Sequence, residues 1–435
     1  MKKLAFLLIP LFLPTAGRAY NSTLSRYVKG EYCGKADSVA TVLIDQFMYK
    51  QKGTFWSTPK DVEKSSTYIY WQQAHAMDVL VYAYERHAND SVKTLATRYK
   101  NYMRLWFNNH ANNYSGGQTG FENPFTDDMC WICLTLLHMT EATKLETYAT
   151  TARRLFDNAI MKRAVEDEKG LWLPWNTDEG AGPNACTLGP ACLIAAKLYE
   201  KYGAEKYLEY AEGFYTYMQN HIANSDGRVE EPPLTYTQGT FGEACRRLYH
   251  ITGKAVYRQK AKLYIEYAFM SGRCTNGKNI LRDEGPSMDQ SIFKAVLIPY
   301  AVNYVLDEKM MLTSRISICK YIQQNANTLW NSLDKDSYPA MFCPYDWTKP
   351  YDASRTASMG AMASGASLLE NCARMCESIT TPDVSDAVDA PRADVRDEAK
   401  GVFTLSGQQV MRDSRLKSHL PAGCYVIDGR KEIVR

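Results

Sequence analysis

Two neighbouring carboxylates, Asp127 and Asp128, are the residues in this sequence best placed to do chemistry together. Like charges this close cannot both ionise easily, so their titrations split. One is then available as an anionic nucleophile while the other keeps a proton for a leaving group. The pair stands just ahead of Met129, Ile132, Cys133, Leu136 and Leu137, whose spacing is that of a core-facing helix. The acids therefore lie at a helix N-terminus, on the loop that leads into it, where the positive end of the dipole favours keeping one ionised. Helix capping is the competing reading of any Asp in such a place, because its side chain accepts from orphan backbone N–H groups. Local sequence does not say which acid attacks and which carries the proton.

The chain around the pair has 435 residues, enough for a large core and a second small module. Apolar residues make up 45% and charged residues 23%, as in an ordinary globular protein. A net charge of +3 with no basic block gives no reason to expect nucleic acid or an anionic membrane as partner. Tyr accounts for 30 residues, a surplus that fills cores or lines clefts where rings stack on sugar faces. Lys2 and Lys3 precede an apolar run over 4–13 and the small-residue step Gly17-Arg18-Ala19, the pattern of a secretory signal peptide over 1–19. The run is too short to span a bilayer, so an exported protein without a membrane span is expected. Of the 12 cysteines, Cys133, Cys192, Cys245, Cys372 and Cys376 fall in apolar helical stretches, where a buried thiol is the default, leaving room for one or two bridges at most. Cys130 with Cys133, and Cys372 with Cys376, lack His partners at ligand spacing, so no metal site is expected and no cofactor is implied.

Helical periods dominate from Ser38 to Glu377. Three segments share a phrase: Tyr148, Ala152, Leu155; Tyr207, Ala211, Phe214; and Tyr257, Ala261, Tyr264. Successive phrases are about fifty to sixty residues apart, the length of a helical hairpin plus its loop. Ala lets neighbouring helices approach while the large residues fill between them. Loops over 106–122, 170–190, 226–239 and 272–290 each precede an apolar helix. This favours a closed double ring, all-α, whose loops gather at one end into a cleft. The helical domain is expected over 20–379. A Pro- and acid-rich linker follows over 380–400. A short β-rich segment over 401–435 ends the chain, with a hairpin turn at Asp428-Gly429.

The set of motifs resembles glycoside hydrolase family 76, the endo-α-1,6-mannanases. The matching residues are Asp127-Asp128 followed by Trp131, the early Trp71-Gln72-Gln73-Ala74, Tyr236-Thr237-Gln238-Gly239, and Asp289 with Phe293-Lys294. They span roughly 38–377, together with the recurring Tyr–Ala phrase. The resemblance implies an (α/α)6 barrel and retaining hydrolysis of α-1,6-linked mannose chains, with Asp127 as nucleophile and Asp128 as general acid/base. Thr126, Thr237 and Ala295 stand where the family usually has Asn, Asn and Gly, and a family carboxylate near the Asp-Gly turn corresponds to Glu231. These departures bear on substrate fit. The C-terminal segment is similar, over a short stretch, to tails of exported Bacteroidetes proteins.

The remaining candidates would bind the sugar. Trp71, Trp175 and Tyr236 suit stacking; Trp131, inside the helix, serves equally as core or platform. Gln72 belongs to the same early motif as Trp71. Gln238 suits a sugar hydroxyl, with a plain helix N-terminal turn as its alternative. Glu231 would assist the leaving group or hold a hydroxyl, or be a solvated loop acid. Lys294 would pair with a carboxylate or lie on the surface. His75, His138, His221 and His250 are scattered and receive no catalytic part. The expected protein is a monomer acting on α-mannan, in the periplasm or outside the cell. Two alternatives are a transglycosylase of the same fold and a non-catalytic mannan-binding surface protein.

Overall fold

The computed structural model describes residues 22–59, 70–112 and 120–380, together with four short strands between 402 and 434. The signal peptide expected over 1–19 and the linker from 381 onward lie outside the described residues. Thr380, expected to open the linker, instead closes the last helix, Met359–Thr380.

Six helices form an inner ring: α3 (Tyr70–His87), α5 (Thr126–Thr143), α7 (Ala185–Tyr202), α9 (Thr235–Thr252), α11 (Met288–Leu306) and α13 (Met359–Thr380). Each packs against the next, and α13 packs back against α3, so the ring closes. Outside it lie the short α1 (Ser22–Ser25), then α2 (Cys33–Phe47), α4 (Thr94–Asn112), α6 (Glu146–Leu155), α8 (Glu205–His221), α10 (Ala255–Met270) and α12 (Leu312–Ser332), packed against the inner ring, α12 spanning both α11 and α13. This is the all-α barrel that the periodicity predicts. The layering follows from composition. Inner helices such as α7 and α13 are buried nearly all round, whereas α6 keeps a single apolar face of Tyr148, Ala149, Ala152 and Leu155.

The recurring Tyr–Ala phrase lies on the outer helices α6, α8 and α10. Ala152, Ala211 and Ala261 are fully buried where inner and outer helices meet. The phrase tyrosines also join neighbouring outer elements. The Tyr207 hydroxyl donates to Asp157 at 2.9 Å, and that of Tyr257 donates to Glu212 at 2.8 Å.

The two ends of the ring differ. At one end, two-residue turns link α5 to α6, α7 to α8 and α9 to α10 through a left-handed residue: Lys144 (φ 61°), Gly203 (φ 65°) and Gly253 (φ 71°). Each of those N–H groups returns 2.8 Å to a carbonyl four residues back, closing the helix. At the other end the connections are long, and every inner helix starts there. Helices begin earlier than the loop boundaries read from sequence: α9 starts at Thr235 and α11 at Met288. Asn184 caps α7, and Ser287 with Gln290 forms a capping box on α11. Polar first turns, read as loop, are helix whose side chains face the open end.

Behind the open end the barrel interior carries charge. Glu243 is 1% exposed and bonds Arg246 at 2.7 Å and Arg247 at 3.0 Å. Arg246 reaches Asp307 at 2.8 Å. His138, 12% exposed, lies 2.9 Å from Asp78 and 3.5 Å from Glu85 on α3. These pairs satisfy groups that would otherwise be very costly to bury.

The eleven cysteines whose side chains are described are unpaired thiols. No described helix is long and apolar enough to cross a membrane. Residues 382–435 belong to a separate unit. Its strands β1 (Val402–Thr404), β2 (Gln409–Met411), β3 (Gly423–Ile427) and β4 (Arg430–Val434) form an antiparallel sheet in the order β2-β1-β3-β4. Ile427 stands opposite Arg430 across the expected hairpin.

Candidate active site

The second residue of each inner helix lies at the open end: Trp71, Asp127, Cys186, Tyr236, Asp289 and Gly360. The acid pair therefore sits in the first turn of α5 and not, as expected, on the loop ahead of it. The N-cap is Phe125, extended and without a side-chain cap bond, so neither Asp fills the N-cap position. Consecutive helical side chains point about 100° apart, which lets both acids reach the cleft while serving different partners.

Those partners differ. Asp127 accepts three hydrogen bonds: the Asp128 backbone N–H on Oδ1 at 3.0 Å, and the Trp175 indole at 3.1 Å and Cys186 thiol at 3.4 Å on Oδ2. Asp128 accepts from the Asn123 amide at 3.0 Å. Both side chains are half-buried, so burial pushes both carboxyls up. For Asp127 the donors oppose this and its pKa rises only to about 6. Asp128 is driven well above the carboxylate range by burial, then by the Asp127 charge and by Asp289. An ionised Asp127 beside a protonated Asp128 follows.

The entry to α5 is clamped. Arg163 donates to the carbonyls of Pro124 (2.8 Å) and Asn123 (2.7 Å) and to the Thr126 hydroxyl (3.1 Å). The Thr126 N–H donates to the Trp175 carbonyl at 2.7 Å, and Phe125 pairs with Asn176. The loop before α7 is thereby tied to the first turn of α5, which sets Trp175 over Asp127. Trp175 is 42% exposed, with the Phe125 ring 5.3 Å from its own, centroid to centroid.

Rings floor the cleft. Trp71 lies 6.2 Å from Trp131, 6.3 Å from Tyr236 and 6.1 Å from Phe293, centroid to centroid. Tyr236 and Phe293 stack at 4.1 Å. Trp131 is 1% exposed and belongs to the core beneath the cleft. Trp71, half-buried, donates its indole N–H to Asp289 at 2.9 Å, and Gln72 donates to the same oxygen. Gln72 thus reaches the site through Asp289.

Other expected residues go elsewhere. Gln238 is fully buried; its amide accepts from the Val229 N–H and donates to the carbonyls of Gly227 (2.8 Å) and Tyr264 (3.1 Å). It pins the loop before α9 and has no group left for a sugar. Lys294, 2% exposed, donates to the Tyr345 carbonyl at 2.6 Å and lies 4.1 Å from the Trp347 ring centre, holding the loop before α13. Burial brings its pKa down to about 8. Glu231 is exposed and paired with Arg228 and Arg273, which hold its carboxyl down at about 2.

Its neighbour Glu230 takes the inner position. It accepts from Thr237 at 2.6 Å, and burial raises it to about 7, helped by the charge of Glu284. Sequence reasoning also missed Asn123, Cys186, Arg163 and Glu284. Asn123 carried a faint signal as the Asn of an Asn-Pro step just ahead of a helix. Among the described residues no cluster of His, Cys, Asp and Glu could hold a metal ion.

Residues 31–379 match the model of the glycosyl hydrolase family 76. No curated protein matches. Among solved structures, the α-1,6-mannanase of Salegentibacter sp. HEL1_6 is 24% identical, with a TM-score of 0.69 over 79% of this chain and 100% of that one. An inactive variant of the same enzyme, two neighbouring aspartates changed to asparagine, was crystallised with α-1,6-mannotriose and aligns at 23% identity, TM-score 0.69, covering 79% of this chain and 100% of its own. A family 76 mannosidase of Bacteroides thetaiotaomicron VPI-5482 is 18% identical, with a TM-score of 0.63 over 79% of this chain and 98% of that one.

Proposed function

The chain belongs to glycosyl hydrolase family 76, and from that premise we propose that it is an exported, retaining endo-α-1,6-mannanase using Asp127 and Asp128. The observation that carries the reading is the unequal treatment of two adjacent acids. Asp127 has three donors and stays ionised, while Asp128 beside Asp289 keeps its proton. Asp127 attacks the anomeric carbon of a mannosyl unit as Asp128 protonates the departing glycosidic oxygen. Asp128, now a carboxylate, then takes a proton from water, which breaks the mannosyl ester and restores both groups. The exposed Trp175 face and the Trp71 ring offer stacking surfaces for the chain on either side. Neighbours crystallised with α-1,6-mannooligosaccharides favour that substrate class.

The test is incubation of debranched α-1,6-mannan with the purified protein, followed by oligosaccharide profiling by mass spectrometry. Shortened chains are expected from the wild type, with activity almost lost in Asp127→Asn and in Asp128→Asn. Full activity in either variant would reject the assignment. Products longer than the substrate would identify a transglycosylase, and tight calorimetric binding without new reducing ends a non-catalytic mannan binder. Export is tested separately, by N-terminal sequencing of the mature protein for cleavage after Ala19.

A further inference from the structure

Asp127 is held from two sides by donors of different mobility. Trp175 belongs to an irregular loop and exposes 42% of its surface to whatever enters the cleft. Cys186 is the second residue of α7, a helix whose first turn is fixed by the Asn184 cap on the Thr187 N–H at 3.0 Å. Its sulfur lies 3.4 Å from Asp127 Oδ2 and 3.3 Å from Asn184 Oδ1. A thiol has one hydrogen, and the Asn184 oxygen already accepts the Thr187 N–H. The charged carboxylate is the stronger acceptor, so it takes the S–H.

We infer that Cys186 is a positioning residue for the nucleophile: its S–H, anchored on α7, keeps the Asp127 carboxylate in one rotamer while Trp175 is engaged with the sugar. The inference rests on the proposed role of Asp127. A thiol suits the task because it is a weak donor, orienting the carboxylate without greatly lowering its nucleophilicity. It also stays a donor throughout the working range, since burial and the Asp127 charge drive its own ionisation far up. The titratable groups around Asp127 are Asp128 and Cys130 on α5, Cys186 on α7, Tyr236 on α9 and Glu230 in the preceding loop, with Asp289 on α11 acting through Asp128. None of the others offers Oδ2 a hydrogen bond, so loss of the thiol leaves Trp175 as its sole described donor.

The experiment compares the wild type with Cys186→Ala and Cys186→Ser. The acidic limb of the kcat/KM profile should move up by about 0.5–1 pH unit in the Ala variant, a loss of about 3–10-fold at the acid end. KM should change little. The Ser variant, which keeps a donor, should fall between. An acidic limb unmoved in Cys186→Ala overturns the inference. Carbon-13 titration of the Asp carboxyls, with Asp127→Asn for assignment, makes the same comparison without substrate. A wild type inert toward mannan would sink the proposed function, whereas an unshifted Asp127 carboxyl in Cys186→Ala would sink this inference alone.

Discussion

The half-buried histidine of α5 gives the most quantitative forecast. His138 sits between Asp78 at 2.9 Å and Glu85 at 3.5 Å, with the Tyr82 ring 4.2 Å away. Burial alone would lower its pKa, but the two carboxylates overcome this and push it up to about 9, from 6.5. A group raised on folding contributes stability that is fully present below its unfolded pKa and is lost as pH rises through the folded value. The window therefore runs from about 6.5 to about 9. At about 1.4 kcal/mol per unit, the shift corresponds to roughly 3 kcal/mol. Lys294 works in the opposite sense: its folded pKa of about 8 lies below the usual 10.5, so it adds stability as pH climbs through that interval. The clean measurement is therefore a difference between wild type and His138→Gln, by chemical denaturation near pH 6 and near pH 9.5. The variant also removes the packing of the imidazole on Tyr82 and its hydrogen bond to Asp78, a penalty that remains when the histidine is neutral. Only the pH-dependent part, about 3 kcal/mol larger at the lower pH, reports the charge. An equal penalty at both values would mean that folding leaves the His138 pKa unshifted, and a smaller one at the lower pH that the ring is held neutral.

The cleft supplies two further tests. Trp175→Phe keeps a ring but removes the N–H on Asp127; kcat should fall about 3–10-fold with KM nearly unchanged, whereas Trp175→Ala should also raise KM. Equal KM values in the two variants would remove Trp175 from substrate contact. Asp289→Asn removes a negative charge that helps Asp128 hold its proton, so the basic limb of activity should move down by about one pH unit. A basic limb that stays put would separate Asp289 from the acid/base. Far from the cleft, Lys144→Gly should stabilise the protein by about 1 kcal/mol, because φ 61° is strained for a side chain there. An unchanged melting temperature would show that the strain is absorbed elsewhere.

The acid pair was legible because two adjacent Asp stand at the start of an apolar helix. The barrel was legible because the Tyr–Ala phrase returns at hairpin spacing and now lies on α6, α8 and α10. The destinations of polar side chains just inside helix starts were harder to read. Gln238 and Lys294 have the residue types of sugar ligands, yet both are consumed by carbonyls, those of Gly227 and Tyr345 in covering loops and that of Tyr264 on α10. Nothing in local spacing reveals which loop will cover a side chain. Glu230 and Glu231 differ by one position, and only the path of that loop decides which turns inward and which meets Arg228 and Arg273. Cys186 lies in a run of small and apolar residues where a thiol reads as packing material.

Every inner helix contributes its second residue to the rim and most of its remaining length to the core. Substrate preference and thermodynamic robustness are thus written in separate parts of the same helices. A mutational library at Trp71 would vary the ring surface of the rim, whereas changes at Cys186 or Asp289 act on the acid pair and changes at Tyr236 on a buried ring stacked on Phe293. Gly360 must be left out: a Cβ there would fall 2.8 Å from the Met288 carbonyl oxygen and onto the Ser291 hydroxyl. At that point α13 and α11 touch backbone to backbone, and diversification would cost the barrel its closure.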